Sequence, residues 1–375
     1  MKLTKAIIAI IVSSLVLCAS FSFFFTEKKT FLENENRVPE SFPEFTFENI
    51  SSGDFMASFE EYLKDHFPLR DVFMKIKTAA QIKFGFKEIS GVYIKNERLF
   101  QKIVSPDISR ITESSNLLIG NISDDIKTII SVIPSSSEIY SEQLPKFLEV
   151  TDENEVIEKI YAETNADIEF NPISALISAK ESGNVFYYTD HHMTSFGALK
   201  FYEALCDASG IYHSDVIQFE SETLSEDFLG TLHSRVPYGA KTDTIERYSY
   251  PNENFVCYTA KGARSELLES SYFADDFLSK KDKYSYFGNN NPPLTVLINE
   301  TSVTEDEIVI VKDSFMNCIA PHFTENFRKV HMIDARYFKG KKISAYVNEN
   351  PNVTHLLIVY GINSINDNTG VSTLS

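Results

Sequence analysis

The residues best suited to chemistry lie in one segment, Tyr187-Tyr188-Thr189-Asp190-His191-His192-Met193-Thr194-Ser195. Asp190 and His192 are two apart, and on extended backbone residues i and i+2 point the same way. Asp190 can therefore hold one nitrogen of the His192 ring, which sets the tautomer and leaves the other nitrogen as a base. An acid and base so paired need a nucleophile, and Lys312-Asp313-Ser314-Phe315 offers one. There an apolar run, 308–311, passes straight into a segment with helical texture. A helix N-terminus behind Ser314 would aim the Ser314 or Phe315 backbone N–H at a developing oxyanion. The same Ser or Asp would also serve as a plain N-cap. Metal binding is the rival reading of Asp190, His191 and His192. Zinc would need a further ligand, and neither HExxH nor a Cys-x-x-Cys pair is present to supply one. The expectation is a metal-free and cofactor-free acyl-transfer site, with His191 turned away from His192 towards substrate or supporting groups.

The surrounding pattern says which elements hold these residues. From residue 128 strands and helices alternate: strands at 128–133, 168–170 and 185–188, with helices at 153–163, 172–179 and 196–208. Thr194 or Ser195 caps the last helix and Gly210 stops it. Alternation resumes with a strand at 308–311, a helix from Phe315 towards Phe323, a strand at 329–333, a helix at 343–348 and a strand at 355–360. This order implies an α/β fold with a mostly parallel sheet covered on both faces. Active sites in such sheets sit at the carboxyl ends of strands, where both Asp190/His192 and Ser314 fall. Residues 211–295 lose the alternation and read as an irregular and β insertion. Upstream, apolar positions at helical spacing over 54–86, interrupted at Pro68, give two helices.

At 375 residues and 43% hydrophobic, the chain has material for one large or two smaller folded units. A formal net charge of -18 argues against nucleic acid, whose phosphates need a basic patch. Lys2 and Lys5 precede an uncharged apolar run over 6–25, about the ~20 residues that span a bilayer. Residues 1–25 are therefore expected as a transmembrane anchor, N-inside, or as a signal peptide cleaved near Ser20-Phe21-Ser22. Residues 26–50 read as a stalk and 51–375 as an ectodomain outside the cytoplasmic membrane. Cys206, Cys257 and Cys318 allow at most one bridge.

These motifs together resemble the bacterial DHHW protein family, named for Asp-His-His-Trp and similar to the alginate O-acetylation proteins of the SGNH-hydrolase superfamily. The resemblance extends over Glu35-Asn36-Arg37, Asp65-His66-Phe67-Pro68, Arg70, Phe228-Leu229-Gly230-Thr231-Leu232, Asp282-Lys283-Tyr284-Ser285 and Asp334-Ala335-Arg336-Tyr337. It implies an SGNH-like three-layer sandwich with Asp190, His192 and Ser314 as the triad. Gly288-Asn289-Asn290-Asn291-Pro292 resembles that family's Gly-Gly-Asn-His-Pro loop, which implies Gly288 and Asn290 as oxyanion or substrate groups, with Asn289 and Asn291 as alternative registers. Arg336 is expected to hold Asp313 or the site geometry. The implied activity is O-acetyl transfer or acetyl-ester hydrolysis on a cell-surface or exported glycan, beside envelope or polysaccharide-export proteins. A non-catalytic glycan-binding or assembly protein is the alternative. Met193 stands where the motif has Trp, removing a ring that could stack on sugar or pack beside His192. Asn289 stands where it has Gly.

Overall fold

The computed structural model describes residues 7, 10, 13, 14, 17, 18, 21–32, 37–213, 219–251, 253–366 and 370. The chain forms two compact units, Met1–Phe86 with Ser234–Tyr238, and Lys87–His233 with Gly239–Ser375. No helix among the described residues is long and apolar enough to cross a membrane. The expected anchor lies in good part outside the described residues, as do Glu35 and Asn36.

The first unit carries helices α1 (Phe47–Ser52), α2 (Asp54–Asp65) and α3 (Arg70–Lys83). Gly53, at φ 86°, ends α1 and begins α2, a left-handed position that costs glycine little. The break expected at Pro68 separates α2 from α3. Asp65 at the end of α2 is buried and accepts both Arg37 guanidinium nitrogens (2.7 and 2.6 Å) and the Glu40 N–H (2.8 Å). Arg70 lies 3.9 Å from the carboxylate of the neighbouring Asp71.

The second unit is built on an eight-stranded mixed sheet. Its members are β4 (Lys127–Ile133), β5 (Ile168–Phe170), β8 (Val256–Ala260), β9 (Leu268–Ser270), β10 (Leu294–Ile298), β11 (Glu307–Lys312), β12 (Lys329–Asp334) and β13 (Val353–Gly361), in the order β5-β4-β13-β11-β12-β10-β8-β9. Strands β1 (Glu88–Ile89), β2 (Val92–Lys95) and β3 (Arg98–Gln101) make a small separate sheet, and β6 (Glu220–Phe228) pairs with β7 (Asp243–Ser249). From β5 to β12 all pairings are parallel, whereas β10, β8 and β9 add antiparallel. All six residues of β11 are buried, as expected of a parallel strand covered on both faces.

Three expectations need correction. The segment 211–295 is not simply inserted beside the sheet, because β8, β9 and the start of β10 complete its edge. Edge strands are half exposed and so carry a weaker apolar signal than central ones. Residues 185–188 are not a sheet strand. Their apolarity reflects burial, and their backbone is held by the Phe186–Met193 bridge and by the Arg98 side chain, which donates to the carbonyls of Phe186 (3.1 Å) and Tyr187 (3.3 Å). Finally, the helix expected from Phe315 is two 3-10 stretches, Ser314–Cys318 and Ala320–Glu325. Pro321 sits in the second and cannot donate the N–H an α-helix would need.

Cys206, Cys257 and Cys318 are buried and unbridged. His322 is buried against the rings of Tyr202 and Phe219 (5.5 and 5.1 Å), and among the described residues neither ring nitrogen has a hydrogen-bond partner. Burial, aided by Arg247, pushes its pKa down to about 3. The unfolded chain takes up this proton near its ordinary value of about 6.5, so protonation favours unfolding. Stability is full above that value and is lost as pH falls towards 3. Between about pH 7 and 5, His322→Leu is expected to lose roughly 2 kcal/mol less stability than wild type in urea titrations; parallel losses would show that the ring is not held neutral.

Candidate active site

The Asp190/His192 loop is shaped from outside by Asp243 on β7. Its carboxylate accepts from the Tyr188 N–H (2.7 Å), the Thr189 N–H (2.8 Å) and the Thr189 hydroxyl (2.6 Å). Burial outweighs these donors and pushes the Asp243 pKa up to about 6. The loop then turns, so that Asp190 Oδ1 accepts both the His192 N–H (3.0 Å) and His192 Nδ1–H (2.6 Å). The contact expected from an extended i, i+2 pair is thus made by an Asx-type turn.

Asp190 is 1% exposed, and its other oxygen is also occupied. Oδ2 accepts the Thr231 N–H (2.7 Å) and the Thr231 hydroxyl (3.0 Å). Gly230 permits this approach, since a Cβ there would lie 2.3 Å from Asp190 Oδ2. Burial alone would raise the Asp190 pKa, but His191, His192 and the donors outweigh it and hold the carboxyl well below the usual range. An ionised Asp190 makes Nδ1 of His192 the donor and leaves Nε2 to accept. Ser314 Oγ lies 2.8 Å from that Nε2.

Ser314 follows β11, between β13 and β12 at the carboxyl edge of the sheet. Asp313 pins its turn, accepting the Phe315 N–H (3.0 Å) with Oδ1 and the Gly361 N–H (2.8 Å) with Oδ2. The Phe315 N–H is therefore spent, which removes it as the expected oxyanion donor and leaves the Ser314 N–H. Arg336 does not hold Asp313: its guanidinium forks onto Asp334 (2.9 and 2.6 Å).

Aromatic rings hold the imidazole of His192. Tyr284 stacks on it at 3.8 Å and 9°, and Phe315 lies 5.0 Å away. The Tyr284 hydroxyl donates to the Ser314 carbonyl (3.1 Å), tying His192 and Ser314 to one side chain. His191 does not turn away from His192 as expected: the two rings lie 3.9 Å apart, and His191 Nδ1 meets the Thr231 hydroxyl at 2.7 Å. That hydroxyl has one proton, which the Asp190 carboxylate takes, so His191 Nδ1–H is the donor to Thr231. Thr231 and Tyr284 lay inside segments that resembled the family, but nothing local in them signalled a contact with His192 or Asp190. Thr231→Val keeps the N–H and loses the hydroxyl; it should lower turnover roughly 10-fold or more, as loss of a group orienting a catalytic residue does, with little change in KM. Unchanged turnover would make the hydroxyl a packing detail.

Ligand atoms of Asp190, His191 and His192 lie within 4.8 Å of one another, close enough to hold a metal ion. Both Asp190 oxygens and both His192 nitrogens are already engaged by protein partners, which a cation would have to displace.

Gly288, Asn289, Asn290 and Asn291 form a left-handed turn, with φ of 72°, 45°, 61° and 53°. Asn290 is exposed, and Asn289 donates to the Ser271 carbonyl (3.2 Å). Asn291 is the one tied to the Ser314 turn. Its Oδ1 accepts from buried Lys312 Nζ (3.1 Å) and Asn317 Nδ2 (2.9 Å), while Lys312 also donates to Asn317 Oδ1 (2.6 Å). Burial lowers the Lys312 pKa to about 8. A Cβ on Gly288 would press on the Asn317 carboxamide at 3.0–3.2 Å. Met193 is fully buried, so its position is interior and offers no ring to a sugar.

Fold and site together define an α/β protein with a mixed sheet and an Asp-His-Ser array at the carboxyl edge of its parallel strands. The DHHW protein family matches residues 126–333, more than half of the chain, and this chain belongs to that family. A DHHW family protein from Eubacterium siraeum has a similar structure, with TM-score 0.64 and 19% identity over 73% of this chain and 93% of that one. Bacillus cereus PatB1, solved with a sulfonyl adduct, is similar at TM-score 0.62 and 19% identity over 76% of this chain and 98% of its own. No curated protein matches this chain.

Proposed function

We propose that this protein carries out serine-based acyl-ester chemistry, as an O-acetyltransferase or acetylesterase acting on a cell-surface or exported glycan. The observation that carries the reading is the unbroken relay from Asp190 through His192 to Ser314, at 2.6 and 2.8 Å. Ser314 Oγ attacks the acyl carbonyl as its proton passes to His192 Nε2, and Asp190 stabilises the resulting imidazolium. The Ser314 N–H meets the oxyanion. The 288–291 turn supplies the second donor; Asn291, with its Oδ1 fixed by Lys312 and Asn317, has Nδ2 left for that role, a one-residue shift from Asn290. As the tetrahedral adduct collapses, His192 returns the proton to the departing oxygen. His192 then deprotonates a sugar hydroxyl or water, which takes the acyl group and frees Ser314.

The glycan and the acetyl group rest on family membership and resemblance, as does an SGNH-like three-layer description of the fold. The apolar run 6–25 supports an anchored or secreted protein working outside the cytoplasmic membrane, beside envelope or polysaccharide-export partners. The glycan-binding alternative drew on Met193, and its burial withdraws that support.

Incubation with p-nitrophenyl acetate tests the chemistry. The expected result is release of p-nitrophenolate with one acetyl group recovered on the Ser314 peptide by mass spectrometry. A folded chain that releases none and carries none would sink the proposal. Adding an oligosaccharide acceptor then separates transfer from hydrolysis by where the acetyl group ends.

A further inference from the structure

Helix α3 reverses the usual partition of apolar and polar side chains. Its one fully buried residue is Thr78, at 2% exposed, whereas Phe73 and Ile76 are 53% and 59% exposed. Phe84, which caps the helix, is 82% exposed, and Phe86, just past Gly85, is 53%. Phe73, Ile76, Ala80 and Phe84 follow the i, i+3, i+7, i+11 spacing of a single helical stripe. A contiguous apolar stripe left in water marks an interaction surface.

Charge identifies the partner. Lys75, Lys77 and Lys83 are exposed along the same helix, and its single acidic residue, Asp71, is paired with Lys29 at 3.1 Å. A locally basic helix in a chain of net charge -18 is unlike its surroundings, and it would draw an anionic surface that the rest of the molecule repels. Exposed aromatic and aliphatic residues flanked by lysines are the composition of a helix lying in a membrane interface, apolar side chains among acyl chains and ammonium groups at the phosphates. We propose that α3 and the Phe84-Gly85-Phe86 turn dock on an anionic lipid surface. The proposal stands apart from the acyl-transfer reading, and it does not require residues 6–25 to span the bilayer.

The test uses the full chain in the Cys18→Ser background, since the other three cysteines are buried. An environment-sensitive fluorophore is placed at Phe73→Cys, at Phe84→Cys, or at the exposed control Val303→Cys. Vesicles are phosphatidylcholine alone or mixed equally with phosphatidylglycerol. With the anionic vesicles, positions 73 and 84 should be quenched about twofold or more by doxyl-labelled lipid and shielded from iodide, while 303 stays open to iodide. Quenching should fade in high salt and in Lys75→Glu/Lys77→Glu/Lys83→Glu. Iodide access at 73 and 84 equal to that at 303 in both lipids would overturn the proposal. So would equal quenching by neutral and anionic vesicles. Shielding without lipid quenching that grows with protein concentration would assign the stripe to a second copy and overturn it as well.

Discussion

Ser314→Ala should reduce ester turnover by about 10⁴-fold or more and abolish the acyl-enzyme outright, the scale seen when a triad nucleophile is removed. Among the described residues, no hydrogen-bonded neighbour of His192 can stand in for it. The Ser314 Oγ is the group at hydrogen-bond distance from His192 Nε2, and the neighbouring Asp313 carboxylate is committed to the Phe315 and Gly361 N–H groups. The turn itself should survive, because those bonds and the Tyr284 hydroxyl on the Ser314 carbonyl do not involve the serine side chain. The comparison is kcat/KM for p-nitrophenyl acetate, with thermal unfolding to show that the fold is kept. A variant within threefold of wild type would mean that Ser314 is not the nucleophile.

Asp190→Asn should cost a comparable factor, about 10⁴-fold in kcat, with a nearly isosteric side chain. The reason lies in which donors face Asp190. One oxygen receives two donors from Thr231, so an asparagine there will turn its own oxygen towards Thr231 and its NH₂ towards His192. The amide then donates to His192 Nδ1, the imidazole proton moves to Nε2, and Nε2 can no longer accept from Ser314. Either rotamer sets NH₂ against a backbone N–H, that of His192 here and that of Thr231 in the other, but here the imidazole can adapt by moving its proton. The imidazolium formed during attack also loses its buried counter-charge. Measured beside Ser314→Ala, Asp190→Asn with wild-type kcat would show that the carboxylate neither orients nor stabilises His192.

These predictions rest on residues whose legibility in the sequence differed for physical reasons. Asp190 and His192 are two apart, so their pairing is a local matter that any tight backbone route could satisfy. The boundaries of β4, β5 and the 195–209 helix were likewise readable, because burial on both faces or on one helical stripe leaves a periodic trace. The place of Ser314 beside a buried strand was visible for the same reason. Its distance from His192 was not, since 122 residues separate them and sheet order alone brings them together.

The sequence by itself determined the α/β alternation, the Asp190–His192 contact and the strand that leads to Ser314. Each depends on periodicity or on spacing within a few residues, which side-chain type alone dictates. The tertiary structure decided the rest. It brought Thr231 to Asp190, laid Tyr284 on His192, sent Arg336 to Asp334 rather than Asp313, and buried Met193. It also drew β8 to β10 out of an apparent insertion into the main sheet, and picked Asn291 from three successive asparagines as the one bound to Lys312 and Asn317 beside Ser314. None of these follows from local pattern, because a hydrogen bond or ring contact between distant segments is set by sheet order and packing, and many sequences with the same periodicity would pair differently.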